Sequence, residues 1–209
     1  MYFNCGLLFL LVSVGVFTEK VKVSVYYETH CPCSVSFIKK QLYLNYFKLE
    51  DYLNVELIPY GNTKRISENG TMGFTCKKDP TCRAMRIHAC TSAQSNPTNA
   101  TLHFLNCVID GQYTKNEIAI CATNFSIPID SIQNCTSSNA SIALLDKFGN
   151  RTEKLLSAHI PAISFNDNYD DDVSQKAREN FLEAVCLALK TNAPKICSSV
   201  NLNLTDNTI

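Results

Sequence analysis

The chain has 209 residues, 45% of them hydrophobic and 18% charged, a composition that supports a packed core and excludes wholesale disorder. Nineteen basic side chains are balanced by nineteen acidic ones, so neither nucleic acid nor an anionic membrane surface is indicated as a partner. The length accommodates one ordinary domain, or one domain carrying an insertion.

The chain opens with an uncharged apolar run, "CGLLFLLVSVGVF" (Cys5–Phe17). This is too short to span a bilayer, which takes roughly 20 such residues. It reads as a secretory signal peptide over residues 1–18, with cleavage near Thr18. No second long apolar run follows, so no membrane span is expected.

Next comes "VKVSVYY", in which Val21, Val23 and Val25 alternate with the period of a strand. A short turn, "ETHCPCS", leads into a helix starting at Pro32 or Ser34, with Val35, Ile38, Leu42 and Leu49 near helical spacing. A second strand runs from Val55 to Ile58 and stops at Pro59 and Gly61. Strand, helix and strand of these lengths predict a right-handed parallel βαβ unit.

Residues 66–150 change character. They hold six cysteines and six Asn-x-Ser/Thr sequons, with weak periodicity and short helical pieces at "CRAMRIHACTSA" and "TLHFLNCVID". Large apolar residues are too few for an independent core, so this stretch is expected to be a disulfide-stapled, glycosylated insertion. The framework resumes after Leu155. "HIPAISFNDN" predicts a strand over Ala162–Phe165, directly after Pro161. A single helix is expected to open at the acidic run Asp170–Asp172, which complements the positive end of a helix. It would carry Val173, Ala177, Phe181, Ala184 and Ala188 on one face. Residues 199–209 are polar and read as a flexible tail.

Seven sequons, at Asn69, Asn99, Asn124, Asn134, Asn139, Asn150 and Asn203, suggest a glycosylated surface. The eleven cysteines suggest an oxidising compartment. Cys5 falls in the leader. Setting aside Cys31 and Cys33 leaves Cys76, Cys82, Cys90, Cys107, Cys121, Cys135, Cys186 and Cys197, an even set of structural cysteines whose pairing spacing alone leaves open. Only Cys186 with Cys197 is singled out, since the two flank a helix end and a short turn containing Pro194.

The chemistry lies in "HCPCS". A cysteine at a strand-to-helix turn meets the partial positive charge of free helical N–H groups, which favours the thiolate. The thiolate is the form that attacks disulfides. Pro32 suits the first helical position. Ser34 stands where a Cys-x-x-Cys enzyme has its second thiol. Three outcomes stay open: Cys33 resolves the mixed disulfide, an external small thiol does, or the complex persists and the protein binds without turning over. Ile160-Pro161 occupies, in chain order, the place of the proline that begins the strand beside the redox helix in thioredoxin-like folds. The backbone before that proline can pair with an extended substrate.

With these pieces assembled, the chain resembles the gamma-interferon-inducible lysosomal thiol reductase (GILT) family. Its cysteine-rich signature, CQHGxxECxxNxxxxC, is matched by "CKKDPTCRAMRIHAC" at Cys76, Cys82 and Cys90. The match departs at Lys77-Lys78-Asp79, by one missing residue before Cys82, and at Met85. The resemblance covers roughly residues 21–198. It implies a thioredoxin-like α/β fold over 19–198, with the Cys-rich, partly helical insertion between the βαβ unit and the cis-proline strand. It also implies a secreted or endosomal/lysosomal thiol-disulfide oxidoreductase acting on protein disulfides. By position, Cys31 is the nucleophile, Ser34 replaces the resolving thiol and Pro161 is the substrate-side proline. No cofactor is called for, and a small-thiol reductant is a candidate partner. The alternative is a catalytically impaired, secreted, glycosylated binding protein of the same fold.

Overall fold

The computed structural model describes residues 20–94, 97–155, 158–190 and 193–200. The expected leader, the sequon at Asn203 and the tail from residue 201 lie outside them.

β1 (Val21–Tyr27) is central in a three-stranded sheet of order β2-β1-β5. β2 (Leu53–Pro59) pairs with it in parallel, with Val23 opposite Val55 and Val25 opposite Leu57. β5 (Ala162–Phe165) pairs antiparallel on the other side, with Tyr26 opposite Ala162 and Val25 opposite Ile163. Alternation along β1 sends Val21, Val23, Val25 and Tyr27 into one core and Tyr26 into a second. Both faces of this strand are therefore covered, and every β1 residue except Lys22 is buried.

The crossover from β1 to β2 is one helical path. α1 (Pro32–Phe37) passes through a π-helical stretch, Ile38–Leu42, into α2 (Tyr43–Leu49). A π-turn adds a residue and re-phases a helix. Here Phe37, Ile38, Leu42, Tyr46 and Leu49 are buried in the main core, while Val35 is only half-buried.

Between β2 and β5 lie a β-hairpin and five helices. The hairpin, β3 (Lys64–Glu68) and β4 (Thr71–Thr75), was not legible as strands. The helices are α3 (Arg83–Ser92), α4 (Thr98–Val108), α5 (Lys115–Asn124), α6 (Ile129–Thr136) and α7 (Asn139–Thr152). Their apolar residues join the cores of the sheet: Leu102, Phe104 and Leu105 the main one, Met85, Leu145 and Phe148 the second. Three disulfides brace this shell, Cys76–Cys82, Cys90–Cys135 and Cys107–Cys121, and a fourth, Cys186–Cys197, lies C-terminal to β5. Cys90–Cys135 spans 45 residues and ties α3 to α6, a cross-link worth about 4 kcal/mol in the chain-entropy picture.

The C-terminal helix expected to be single is two. α8 (Asp171–Glu179) ends at Asn180, whose φ of −143° and ψ of 86° leave the helical region. Asn180 then caps α9 (Phe181–Leu189), accepting from the Glu183 amide at 3.2 Å. A polar residue that can cap a new helix wins over continuity of the apolar face. The break lets Phe181 turn fully into the core against Phe37, ring centroids 5.8 Å apart. Asp170 caps α8, accepting from the Val173 amide at 2.9 Å. Ser199 closes a short 3-10 helix, Lys195–Ser199, where flexible tail was expected.

Gly149 sets how closely α7 approaches the β2–β3 loop. A Cβ there would lie 2.7 Å from the buried Tyr60 ring and 2.8 Å from Arg65 Nη2. Alanine gains about 1 kcal/mol over glycine in an exposed helix, but here overpacking dominates. Gly149→Ala is expected to destabilise the fold by about 1–3 kcal/mol, read as a lower urea midpoint at unchanged m-value.

Candidate active site

The turn after β1 is held from three sides. The Cys31 amide donates to the Glu28 carbonyl at 3.2 Å, the Glu28 amide donates to Ser34 Oγ at 3.3 Å, and the Tyr60 amide donates to the Tyr27 carbonyl at 2.9 Å. The Glu28 side chain is buried and accepts from Asn62 Nδ2 at 3.3 Å. Gly61 makes this approach feasible: its φ is +54°, and a Cβ would sit 2.5 Å from that of Glu28.

Cys31 is the N-cap residue of α1, with φ −80° and ψ 119°, and its carbonyl accepts from the Val35 amide at 3.0 Å. Pro32 follows at the first helical position, where its missing N–H leaves nothing unpaired. Among the described residues only Cys31 and Cys33 are free cysteines; Cys31 is partly exposed and Cys33 exposed. Ser34 is fully buried beneath them. Cys33 lies two residues on from Cys31, inside α1, and positions two apart on a helix do not face each other.

The loop before β5 completes the site. Ile160-Pro161 is a cis peptide. Cys31 Sγ lies 3.9 Å from the Ile160 carbonyl oxygen, although 129 residues separate them. Arg178 of α8 steadies this loop, with Nη1 within 3.4 Å of the His159 carbonyl and 3.2 Å of the Pro161 carbonyl. Pro161 and Arg178 share a cavity of about 430 Å³ with Cys33, Phe37 and Lys40. The structure thus brings Cys31, Cys33, Ser34 and Pro161 together. It leaves Asn69, Asn99, Asn124, Asn134, Asn139 and Asn150 exposed on the insertion.

The sequence reading missed a buried hydrogen-bonded triad behind the turn. His88, fully buried on α3, has Nδ1 2.9 Å from the Tyr27 hydroxyl and Nε2 2.9 Å from the Tyr113 hydroxyl. Tyr113 also donates to the Ile109 carbonyl at 3.4 Å. One consistent assignment has His88 Nε2–H donating to Tyr113 and Tyr27 donating to Nδ1, so the ring serves as neutral imidazole. Burial, helped by the neighbouring His30 charge, drives the His88 pKa down to about 3. The Tyr113 ring also meets His30 edge-on at 5.8 Å, linking the triad to the residue before Cys31. The only sequence signal was a lone histidine beside Ile87, Ala89 and Cys90 in a helical segment.

The chain as a whole matches a known set of proteins. The family described as "Gamma interferon inducible lysosomal thiol reductase (GILT)" matches residues 22–125. The Anopheles gambiae "Gamma-interferon-inducible lysosomal thiol reductase-like protein" is 31% identical over 200 residues, covering 85% of this chain and 82% of that protein. The chain belongs to the GILT family, a family of thiol-disulfide oxidoreductases. "GILT-like protein 1" of Drosophila melanogaster is 28% identical, covering 94% of this chain and 86% of that protein. The structure of Chlamydia trachomatis DsbA superposes with a TM-score of 0.53 at 12% identity, covering 84% of this chain and 94% of that one. That likeness establishes the thioredoxin-like fold. No helix among the described residues of this GILT-family chain is long and apolar enough to cross a membrane.

A buried neutral histidine gives a signed pH dependence. Its folded pKa lies below the ordinary 6.5, so the unfolded chain binds the extra proton first. Its contribution is intact above pH 6.5 and is lost as pH falls from there toward 3. Between pH 7 and 5 the loss is about 2 kcal/mol. His88→Gln is expected to be less stable than wild type at pH 7 and to lose less stability between pH 7 and 5, measured by urea denaturation at both pH values.

Proposed function

We propose that this protein reduces protein disulfides through Cys31, in a secreted or endosomal/lysosomal setting. The observation that carries the reading is the position of the sulfur. It is unpaired and partly exposed at the start of the redox helix, and it stands beside the backbone that precedes Pro161. The other eight described cysteines are closed in disulfides.

The Cys31 thiolate attacks one sulfur of a substrate disulfide. A Cys31–substrate disulfide forms, and the second substrate sulfur leaves as thiolate. Ile160 offers its backbone to an extended substrate segment, as in strand addition. The buried Ser34 Oγ cannot form a disulfide, and Cys33 follows Cys31 at a spacing of two, at which helical side chains do not face each other, so the intermediate is resolved by a thiol from solution. The four disulfides and the exposed sequon asparagines support an oxidising, glycosylating route of export.

Cys31→Ser is expected to abolish reduction of a protein disulfide in the presence of a small thiol, whereas Cys33→Ser retains it. Ser34→Cys is expected to raise turnover at least about tenfold by supplying an intramolecular resolving thiol, and to add one disulfide on oxidation, seen by intact mass and thiol counting. Wild-type protein that reduces no disulfide between pH 4.5 and 7 and forms no mixed disulfide at Cys31 would overturn the reading. Binding without turnover would then be its role.

A further inference from the structure

A monothiol cycle needs a second sulfur from outside, and the structure holds a groove suited to one chemistry of donor. A cavity of about 790 Å³ opens beside the motif, walled by His30 and Pro32 on either side of Cys31 and reaching Tyr113 and Gly111. Its size matches a molecule of a few hundred daltons. Four fixed cations line it: Lys39, Lys40, Lys78 and Arg83. Two carboxylates line it as well, and both are engaged. Asp110 is paired with Lys39, which holds its carboxyl below the usual range. Asp79 accepts from the Ala84 amide at 3.0 Å and from the Thr81 hydroxyl at 2.8 Å at the start of α3. Lys40, Lys78 and Arg83 have no carboxylate partner among the described residues and are exposed. In a chain with formal net charge +0, the walls of this groove carry a surplus of two positive charges, and uncompensated charge in a concave site concentrates anions.

We propose, building on the reading of Cys31 as the reactive thiol, that this groove binds the resolving reductant and that the reductant is a small thiol bearing two carboxylates. The carboxylates sit against Lys78, Arg83 and Lys40, which delivers the donor sulfur toward Cys31 from the His30–Pro32 side. The donor thiolate attacks the Cys31 sulfur of the mixed disulfide, forms a Cys31–donor disulfide and releases the reduced substrate thiolate. A second donor thiolate attacks the donor sulfur of that bond, freeing Cys31 as thiolate and leaving as the donor's symmetrical disulfide. Two donor thiols thus supply the two electrons that reduce one substrate disulfide, and the protons balance between the donor thiols consumed and the substrate thiols formed. The basis for a preference is charge: a dicarboxylate donor meets walls with a surplus of two positive charges, whereas a neutral thiol of equal reactivity gains nothing from them.

The experiment compares glutathione and mercaptosuccinate with 2-mercaptoethanol as reductants of one protein disulfide, each rate divided by that thiol's uncatalysed rate. The corrected rate is expected to favour the acidic thiols by about tenfold at low ionic strength, as three exposed charge contacts allow, and less at 0.5 M salt. The double substitution Lys78→Glu with Arg83→Glu is expected to bring the ratio near unity, while Lys64→Glu, outside the groove on β3, keeps it. A second arm titrates S-methylglutathione, which cannot exchange disulfides, into Cys31→Ser protein and follows the backbone amides of Lys78, Arg83 and Gly111 by NMR. Shifts confined to the groove and lost in the double variant support the proposal. Turnover with every thiol at equal corrected rates, and no such shifts, overturns it and leaves the Cys31 reaction standing. Shifts without turnover overturn the reductant role together with the Cys31 reading. Displacement by an acidic peptide with no binding of S-methylglutathione overturns it in favour of a polypeptide ligand.

Discussion

The site depends on the pairing of β5 with β1. Tyr26 stands opposite Ala162, so the residue before β5 and the residues after β1 emerge at the same end of the sheet. This register puts the Ile160 carbonyl 3.9 Å from Cys31 Sγ. A slip of one residue would turn Ile163 out of the main core and expose the buried face of β5, so the hydrophobic pattern that builds the core also fixes the site. Ser174 and Arg178 of α8 lock the same junction. Ser174 Oγ accepts from the Ile163 amide at 3.0 Å, and Arg178 reaches the carbonyls that flank Ile160.

Three strands are a small sheet, and its second face would be wet without the helices between β2 and β5. Those helices bring their own apolar residues to it, which explains why the Cys-rich stretch has no separate core. Tyr60, Phe74, Met85, Leu145 and Phe148 meet Tyr26, Ile58 and Ala162 there. α3 is buried nearly all round, and its one titratable buried side chain, His88, spends both ring nitrogens on tyrosines of β1 and of the loop before α5. The disulfides then hold helices that have little periodicity to hold themselves.

Replacing a resolving cysteine with serine changes what the surroundings must supply. Ser34 keeps the backbone role of its position, accepting from the Glu28 amide inside the turn, so the geometry around Cys31 survives the loss of the sulfur. On the proposed reading, the resolving step passes to a thiol from solution, and the cationic groove beside His30 and Pro32 is the site we infer for it. That reading puts substrate and reductant on different sides of one residue: the cis-proline loop on one, the cationic groove on the other.

The residues around the motif were legible in the sequence because their constraints are local. β1, the helix start at Pro32, β5 and the cap at Asp170 follow from alternation, from the missing proline N–H and from a carboxylate at a helix N-terminus. The GILT-family signature was legible at Cys76, Cys82 and Cys90. The hairpin at 64–75 and helices α5–α7 were not, because the hairpin is mostly exposed and each of these helices buries only a few residues. The break at Asn180 was hidden too, since the apolar spacing of Val173, Ala177, Phe181 and Ala184 runs through it unchanged. Only the tertiary structure could join Cys31 to Ile160, pair His88 with two tyrosines, or gather Lys40, Lys78 and Arg83 into one groove. Local sequence sets which backbone shapes are cheap; contacts between residues tens to more than a hundred positions apart exist only once the sheet register and the packing of the cores have chosen among them.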